Sequence, residues 1–307
     1  TMAANNRSSL KTAILAKNAK NIRVVLENQP EADRFASISE SLQNPEEELT
    51  DALEDETILS TILEYINTNE NRLELIKMFC EQMIRDGFVK LFSKSVKNFK
   101  ENLSDTEWDD LFRTSDGGGK TVLHHLFYMR IPPKVSDIHL QCLEFIMSGF
   151  SESEFLELLL RQDDSGSAPL YCLWLQNPIW QFNDFDPVKL NCLKASIERL
   201  SSVADKLQLF KSPCRRDCGT LAHVLVEEAA SSYRYVPNEG RVCFRHQEPG
   251  ERSSQSLDWE DNRVLANYML QFLNDTSAVV EALGTPDSDG KAPMHCVREA
   301  RLADLLL

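Results

Sequence analysis

The sequence predicts an all-α fold: a helical-repeat solenoid with an N-terminal helical cap or domain and one inserted β-hairpin. Three observations predict it. Apolar residues recur at three- and four-residue spacing through the first third of the chain. A tight-turn sequence, Asp-x-x-Gly followed directly by a helix start, returns three times after residue 115. β-formers alternate in one short segment, 233–245.

Residues 8–28 carry Leu10, Ile14, Leu15 and Val24 with Lys11, Lys17, Lys20 and Arg23, and Arg7 lies just before them. They predict one amphipathic helix ending before Pro30, which cannot donate to a helical carbonyl. Residues 41–70 reverse the charge, with nine acids and no Lys or Arg. Leu49, Leu53, Ile58, Leu59, Ile62, Leu63 and Ile66 recur there at helical spacing, so the acids are expected on a solvated face of a segment that folds against something. Apolar helices are expected at 71–85 and 87–102, and Ser104-Asp105-Thr106-Glu107 has the capping-box pattern of a helix over 105–113. A second capping box, Ser151 to Glu154, leads into 155–161. Asp186-Pro187 opens a long helix to about Leu209, with a cap residue before a proline in the first turn. Tyr233–Val236, a Pro237-Asn238-Glu239-Gly240 turn and Arg241–Arg245 read as the hairpin, and 247–257 as a polar loop.

Composition narrows the function classes. The 307 residues hold 33 Lys and Arg against 48 Asp and Glu, a net charge of −15. Such a surface argues against broad nucleic-acid binding, which needs a basic footprint. No apolar run approaches the ~20 residues that cross a bilayer. The opening Thr1-Met2-Ala3-Ala4-Asn5 has no apolar stretch of the signal-peptide kind, and Thr1 reads as a cloning residue. The apolar stretch that ends at Leu307 suggests that the natural chain continues. The expectation is a soluble, acidic protein of the cytoplasm, with no membrane span.

The three turn sequences are Asp116–Leu126, Asp163–Leu173 and Asp287–Val297, sharing D-x-x-G-x-[T/A]-[P/V]-[L/M]-[H/Y]-x-[L/V]. A weaker match near 215–225 keeps Thr220 and His223 but loses the Asp and Gly in register. Each position has a physical role: Asp116, Asp163 and Asp287 cap the turn, while Gly119, Gly166 and Gly290 take a backbone conformation closed to other residues. Thr121 begins a helix, Pro169 and Pro293 are tolerated in a first turn, and His124, His223 and His295 tie neighbouring turns.

This pattern resembles the ankyrin repeat, whose turn leads into T-P-L-H-x-A and the first of two antiparallel helices. The resemblance covers about 115–307 and leaves 1–114 as the N-terminal helical region or cap that a solenoid end requires. It departs from the family in its spacing: 47, 52 and 72 residues separate successive motifs, against a period of about 33. The surplus is expected as elongated helices around 138–162 and 188–210 and as the insertion at 230–257. Leu126, Leu173 and Val297 also stand where the family has a small residue.

The resemblance implies a non-enzymatic protein–protein interaction module, binding through turn tips and the exposed end of the first helix. By position these contacts are Lys120, Tyr128 and Met129, then Asp164 and Gln176, then Lys291 and Glu299. Trp180, Tyr233 and Tyr235 lie in the insertions, where surface aromatics would form a second contact site. Irregular repeats with large insertions also look like ankyrin-type effectors that intracellular bacteria deliver into a host cytosol.

Two other readings stay open. Cys80, Cys142, Cys172, Cys192 and Cys296 read as small buried hydrophobes, but Cys214, Cys218, Cys243 and His246 are a donor set able to close a tetrahedral zinc site, with free thiols as the competing reading. A cysteine-dependent enzyme, or a catalytic domain outside the repeats, is the remaining alternative, although His125 and His139 have no Cys, Ser or Asp pattern beside them in sequence. Asp116–Thr121 ends like a phosphate-binding loop, but Thr114 stands where that loop needs Gly.

Overall fold

The computed structural model describes residues 2–42, 47–82, 86–128, 136–175, 187–215, 219–225, 273 and 275–293. It is all-α, and the described residues contain no strand, one isolated antiparallel bridge (Pro213 with Thr220) excepted. The hairpin expected at 233–245 lies outside the described residues. The chain divides into two compact units, Thr1–Gly149 and Phe150–Leu307.

The first unit begins with α1 (Met2–Leu15) and α2 (Ala19–Glu27), so the single helix expected over 8–28 is two. The break is a Schellman closure. Lys17 N–H donates to Ile14 O at 2.8 Å and Asn18 N–H to Ala13 O at 3.1 Å, with Lys17 at φ 49° where glycine is the usual residue. Asn18 then caps the next helix, its Oδ1 accepting from Asn21 N–H at 3.0 Å. Helix α3 (Glu31–Leu42) follows Pro30, then α4 (Glu47–Leu53) and α5 (Glu56–Leu63). Helix α5 is capped by Asp55 Oδ1, which accepts from Thr57 and Ile58. The acidic run is therefore divided among several helices. Its apolar stripe, Leu49, Leu53, Ile58, Leu59 and Ile62, is buried, while Glu48, Asp51 and Glu56 are exposed. Basic neighbours meet part of the charge: Lys90 pairs with Glu54 at 3.0 Å and Arg23 with Glu64 at 2.9 Å.

Helices α6 (Asn69–Gln82), α7 (Asp86–Asn102), α8 (Asp105–Arg113), α9 (Val122–Phe127) and α10 (Ser136–Ser148) complete the first unit. At α8 the capping box closes as its spacing demands: Ser104 N–H donates to Glu107 Oε2 at 2.9 Å, and Glu107 N–H to Ser104 Oγ at 3.3 Å. Its inner face buries Trp108, Leu111 and Phe112, with the Trp108 and Phe112 rings 4.7 Å apart. The chain leaves α10 at Gly149, where a Cβ would stand 2.7 Å from Trp108 Nε1. Phe79, Phe88, Phe92 and Phe127 fill the rest of this core.

The second unit starts at α11 (Glu152–Leu160), behind a second closed capping box at Ser151 and Glu154. A 3-10 turn (Pro169–Tyr171) and α12 (Cys172–Leu175) follow, then α13 (Pro187–Glu198), α14 (Val203–Lys211), a helical stretch at 221–225 and α15 (Thr276–Gly284). The elongated helices expected around 138–162 and 188–210 are each broken in two. At the second break Ser202 Oγ accepts from Asp205 N–H at 3.4 Å, which starts α14. Ser201 meanwhile donates to Glu152 Oε2 from both its N–H (2.8 Å) and its hydroxyl (2.7 Å). A side chain of α11 thus holds the chain at the break. Helix α14 packs against both α11 and α15, burying Phe155, Leu159, Leu209, Phe210 and Ala282.

Candidate partner-binding surface

Three turns share one hydrogen-bond pattern. Asp116 Oδ1 accepts from Gly118 and Lys120 N–H, each at 2.9 Å, while Asp116 N–H donates to Lys120 O and Gly119 N–H to Asp116 O. Asp163 Oδ1 accepts from Ser165 and Ser167 N–H, and Asp287 Oδ1 from Asp289 and Lys291 N–H, all at 2.9 Å. Gly119, Gly166 and Gly290 have φ of 75°, 79° and 74°, the left-handed region that a Cβ disfavours. One carboxylate thus gathers two backbone donors, and the following glycine lets the chain turn beneath it.

After the turn, Thr and His side chains lock the helix start. Thr121 N–H donates to His124 Nδ1 at 3.1 Å, and Thr220 N–H to His223 Nδ1 at the same distance. An Nδ1 that accepts leaves the ring proton on Nε2. His223 Nε2 consequently donates to Lys291 O at 2.8 Å, joining one turn region to another 68 residues on. Ala168 N–H donates to Cys214 O at 2.9 Å, and Gln162 Nε2 to Pro213 O at 2.7 Å. Within the second unit the segments at 163–168, 213–223 and 287–291 are joined in order by these bonds.

Spacing alone missed the network around Asp116. Its Oδ2 lies 3.1 Å from His125 Nε2 and 4.0 Å from Lys77 Nζ. Burial pushes the His125 imidazole down to about 4, against the pull of Asp116, so it is neutral near pH 7. Burial also pushes the Asp116 carboxyl up, but the N–H groups of Lys120 and Gly118, with His125 and Lys77, hold it below the usual carboxylate range. The signal for this pair was the turn itself: a carboxylate held at the turn faces the first turn of the helix that the turn opens, where His125 sits.

Four of the seven predicted contacts are described, Lys120 and Tyr128 in the first unit and Asp164 and Lys291 in the second. Tyr128 is half-buried with the Lys120 ammonium 4.9 Å from its ring centroid, a cation–π arrangement. Asp164 and Lys291 are exposed, and Lys291 Nζ lies 3.6 Å from Asp289. Pro169 and Pro293 are buried behind their turns. Met129, Gln176, His295 and Glu299 lie outside the described residues, as do Trp180, Tyr233 and Tyr235. Of the candidate zinc ligands, Cys214 alone is described. Its thiol is buried and donates to Gly219 O at 3.4 Å. Cys218, Cys243 and His246 lie outside. Among the described residues no group of three His, Cys, Asp or Glu is arranged to hold a metal ion. Cys80, Cys142, Cys172 and Cys192 are buried thiols outside any disulfide, and burial pushes Cys142 up to about 12. Cys296 is not among the described residues.

Fold and surface together define an all-α protein with recurrent Asp–Gly turns and no described helix long and apolar enough to cross a membrane. Compared with protein-family models, curated proteins and solved structures, the chain matches none.

Proposed function

We propose that the chain is a divergent ankyrin-type repeat protein that binds another protein through its turn tips and the helix ends beside them. The observation that carries this reading is the shared turn at 116–120, 163–167 and 287–291, with the same carboxylate bonds and the same left-handed glycine. The bond from His223 to Lys291 O supports it further, because it ties successive turn regions as a stacked array requires. In such a stack each turn is a projecting tip, rigid because its polar groups are satisfied internally. In the first unit Lys120 and Tyr128 offer an aromatic anchor beside a cation, and in the second Asp164 and Lys291 offer charges of both signs.

The test is capture of a partner by the full chain with crosslinking, followed by affinity measurement on Tyr128→Ala and Lys120→Ala. The expected result is a loss of about tenfold or more for Tyr128→Ala, with binding that survives moderate salt. Crosslinks should map to 116–128 and to the two later turns. A partner indifferent to both substitutions, or one lost steeply with salt and crosslinked to 46–56, overturns this reading.

A further inference from the structure

A groove of about 390 Å³ runs between α1 and α2. Ser9, Thr12, Ala13 and Ala16 form one wall, at the i, i+3, i+4 and i+7 positions of a single helix face. Their short side chains bring the α1 backbone close to whatever lies in the groove. Asn21, Val24 and Val25 form the other wall, again at i, i+3 and i+4. Val24 is 48% exposed, the one exposed large apolar side chain among the described residues of the first unit.

The stretch of chain that forms both walls is opposite in charge to the protein as a whole, although Arg23 is already paired with Glu64 at 2.9 Å. Residues 2–26 hold Arg7, Lys11, Lys17, Lys20 and Arg23 and no Asp or Glu, in a protein of net charge −15. Lys17 and Lys20 stand exposed where α1 passes into α2 and make no ion pair among the described residues. We infer that this groove receives an acidic amphipathic α-helix of a partner protein. Its apolar side chains fill the space between Val24 and the small face of α1, and its carboxylates meet Lys17 and Lys20. Helical spacing on both walls suits a helix laid lengthwise.

A bilayer is the weaker fit, because interfacial insertion needs a broad face of Leu, Phe or Trp and this surface exposes one valine. A nucleic acid fits less well too. A polyanion longer than the patch meets Glu48, Asp51 and Glu56, exposed on the two helices that pack against α1 and α2, whereas a short helix stays within reach of the two lysines. The groove is separate from the turn-tip surface, so either assignment can fail alone.

The test is a selection from a display library of short helical peptides on the full chain, with an Ala16→Trp chain as counter-target. Thr12, Ala16, Lys17 and Lys20 are exposed, so substitutions there leave the core intact, which circular dichroism checks. Enrichment of peptides with an apolar stripe and Asp or Glu around it is expected. By fluorescence anisotropy, Ala16→Trp and the double change Lys17→Glu with Lys20→Glu should each weaken an enriched peptide by about tenfold or more. The double change should also flatten the salt dependence. Glu-to-Lys versions of the peptide should not bind, and Tyr128→Ala should leave binding unchanged. Enrichment of basic or neutral peptides, no enrichment over the counter-target, or equal affinity for both lysine-reversed and native chains overturns the inference. So does binding of phosphatidylserine vesicles or single-stranded DNA through Lys17 and Lys20 when no acidic helix binds.

Discussion

The turn at 116–120 and the closure between Cys214 and Gly219 both lead into a Thr-x-x-His helix start, yet different chemistry makes them. In the first, a carboxylate accepts two backbone N–H groups and Gly119 sits at φ 75°. In the second, Cys214 N–H donates to Gly219 O at 2.9 Å over one more residue, and the thiol donates to that same oxygen at 3.4 Å. A Cβ at Gly219 would meet the flexible Arg215 guanidinium, which can swing aside, whereas at Gly119 the backbone itself is in the left-handed region. The Thr–His lock and the backbone closure are therefore the constant parts, and the capping group is exchangeable. The exchange has an electrostatic consequence. Asp116 also holds His125 and Lys77, whereas at Cys214 a thiol stands in place of that carboxylate.

The largest effect expected from this contrast is that of Asp116→Ala. It leaves a buried imidazole and two turn N–H groups without their acceptor, a loss of about 3 kcal/mol. Cys214→Ala, which removes a weak donor and little volume, should cost under about 1 kcal/mol. Urea unfolding with hydrogen exchange over 116–127 and 219–225 checks both, and equal losses would break the comparison.

Acid comes next. His125 titrates near 6.5 when unfolded and near 4 when folded, so the folded state favours the neutral ring. Its contribution is complete above the unfolded value and falls away as pH drops from 6.5 toward 4, by about 2–3 kcal/mol. Asp116, held low, keeps its own contribution until the pH falls below 3.8. Stability of 116–127 measured between pH 7 and pH 4.5 should decline as described, and His125→Gln should flatten that decline.

Smaller, at about 2 kcal/mol, is His223→Leu, which strands Thr220 N–H and the Lys291 carbonyl. Exchange should quicken at 219–225 and at 291 together. If residue 291 is unaffected, the 68-residue link contributes nothing. Smallest is the pair of glycine changes: Gly119→Ala should cost about 1 kcal/mol and Gly219→Ala close to none, read from thermal midpoints.

Capping residues at Ser104 and Ser151 were legible because each bonds a neighbour three positions away, whereas the Asp55 cap had no such box to mark it. The expected helix at 105–113 has those bounds, and the three Asp turns have the bonds that their spacing implied. Interruptions at Lys17 and at Ser201 were not legible. Lys17 is an uncommon residue for a left-handed C-terminal closure, and Ser201 is held by Glu152, 49 residues away. The closure from Cys214 to Gly219 was half legible, since Thr220 and His223 marked its exit while a cysteine stood where the other turns have Asp. His125 was read without a partner because Asp116 stands nine positions before it, outside any helical neighbour rule.

By itself the sequence determined an all-α chain, the helix starts behind Ser104 and Ser151 and the local form of three turns, because capping bonds and helical periodicity act within a few residues. Tertiary structure alone decided that the chain breaks at Ser201 and which carbonyl His223 reaches. Those outcomes depend on burial and on bonds between residues tens of positions apart, and no local pattern encodes either.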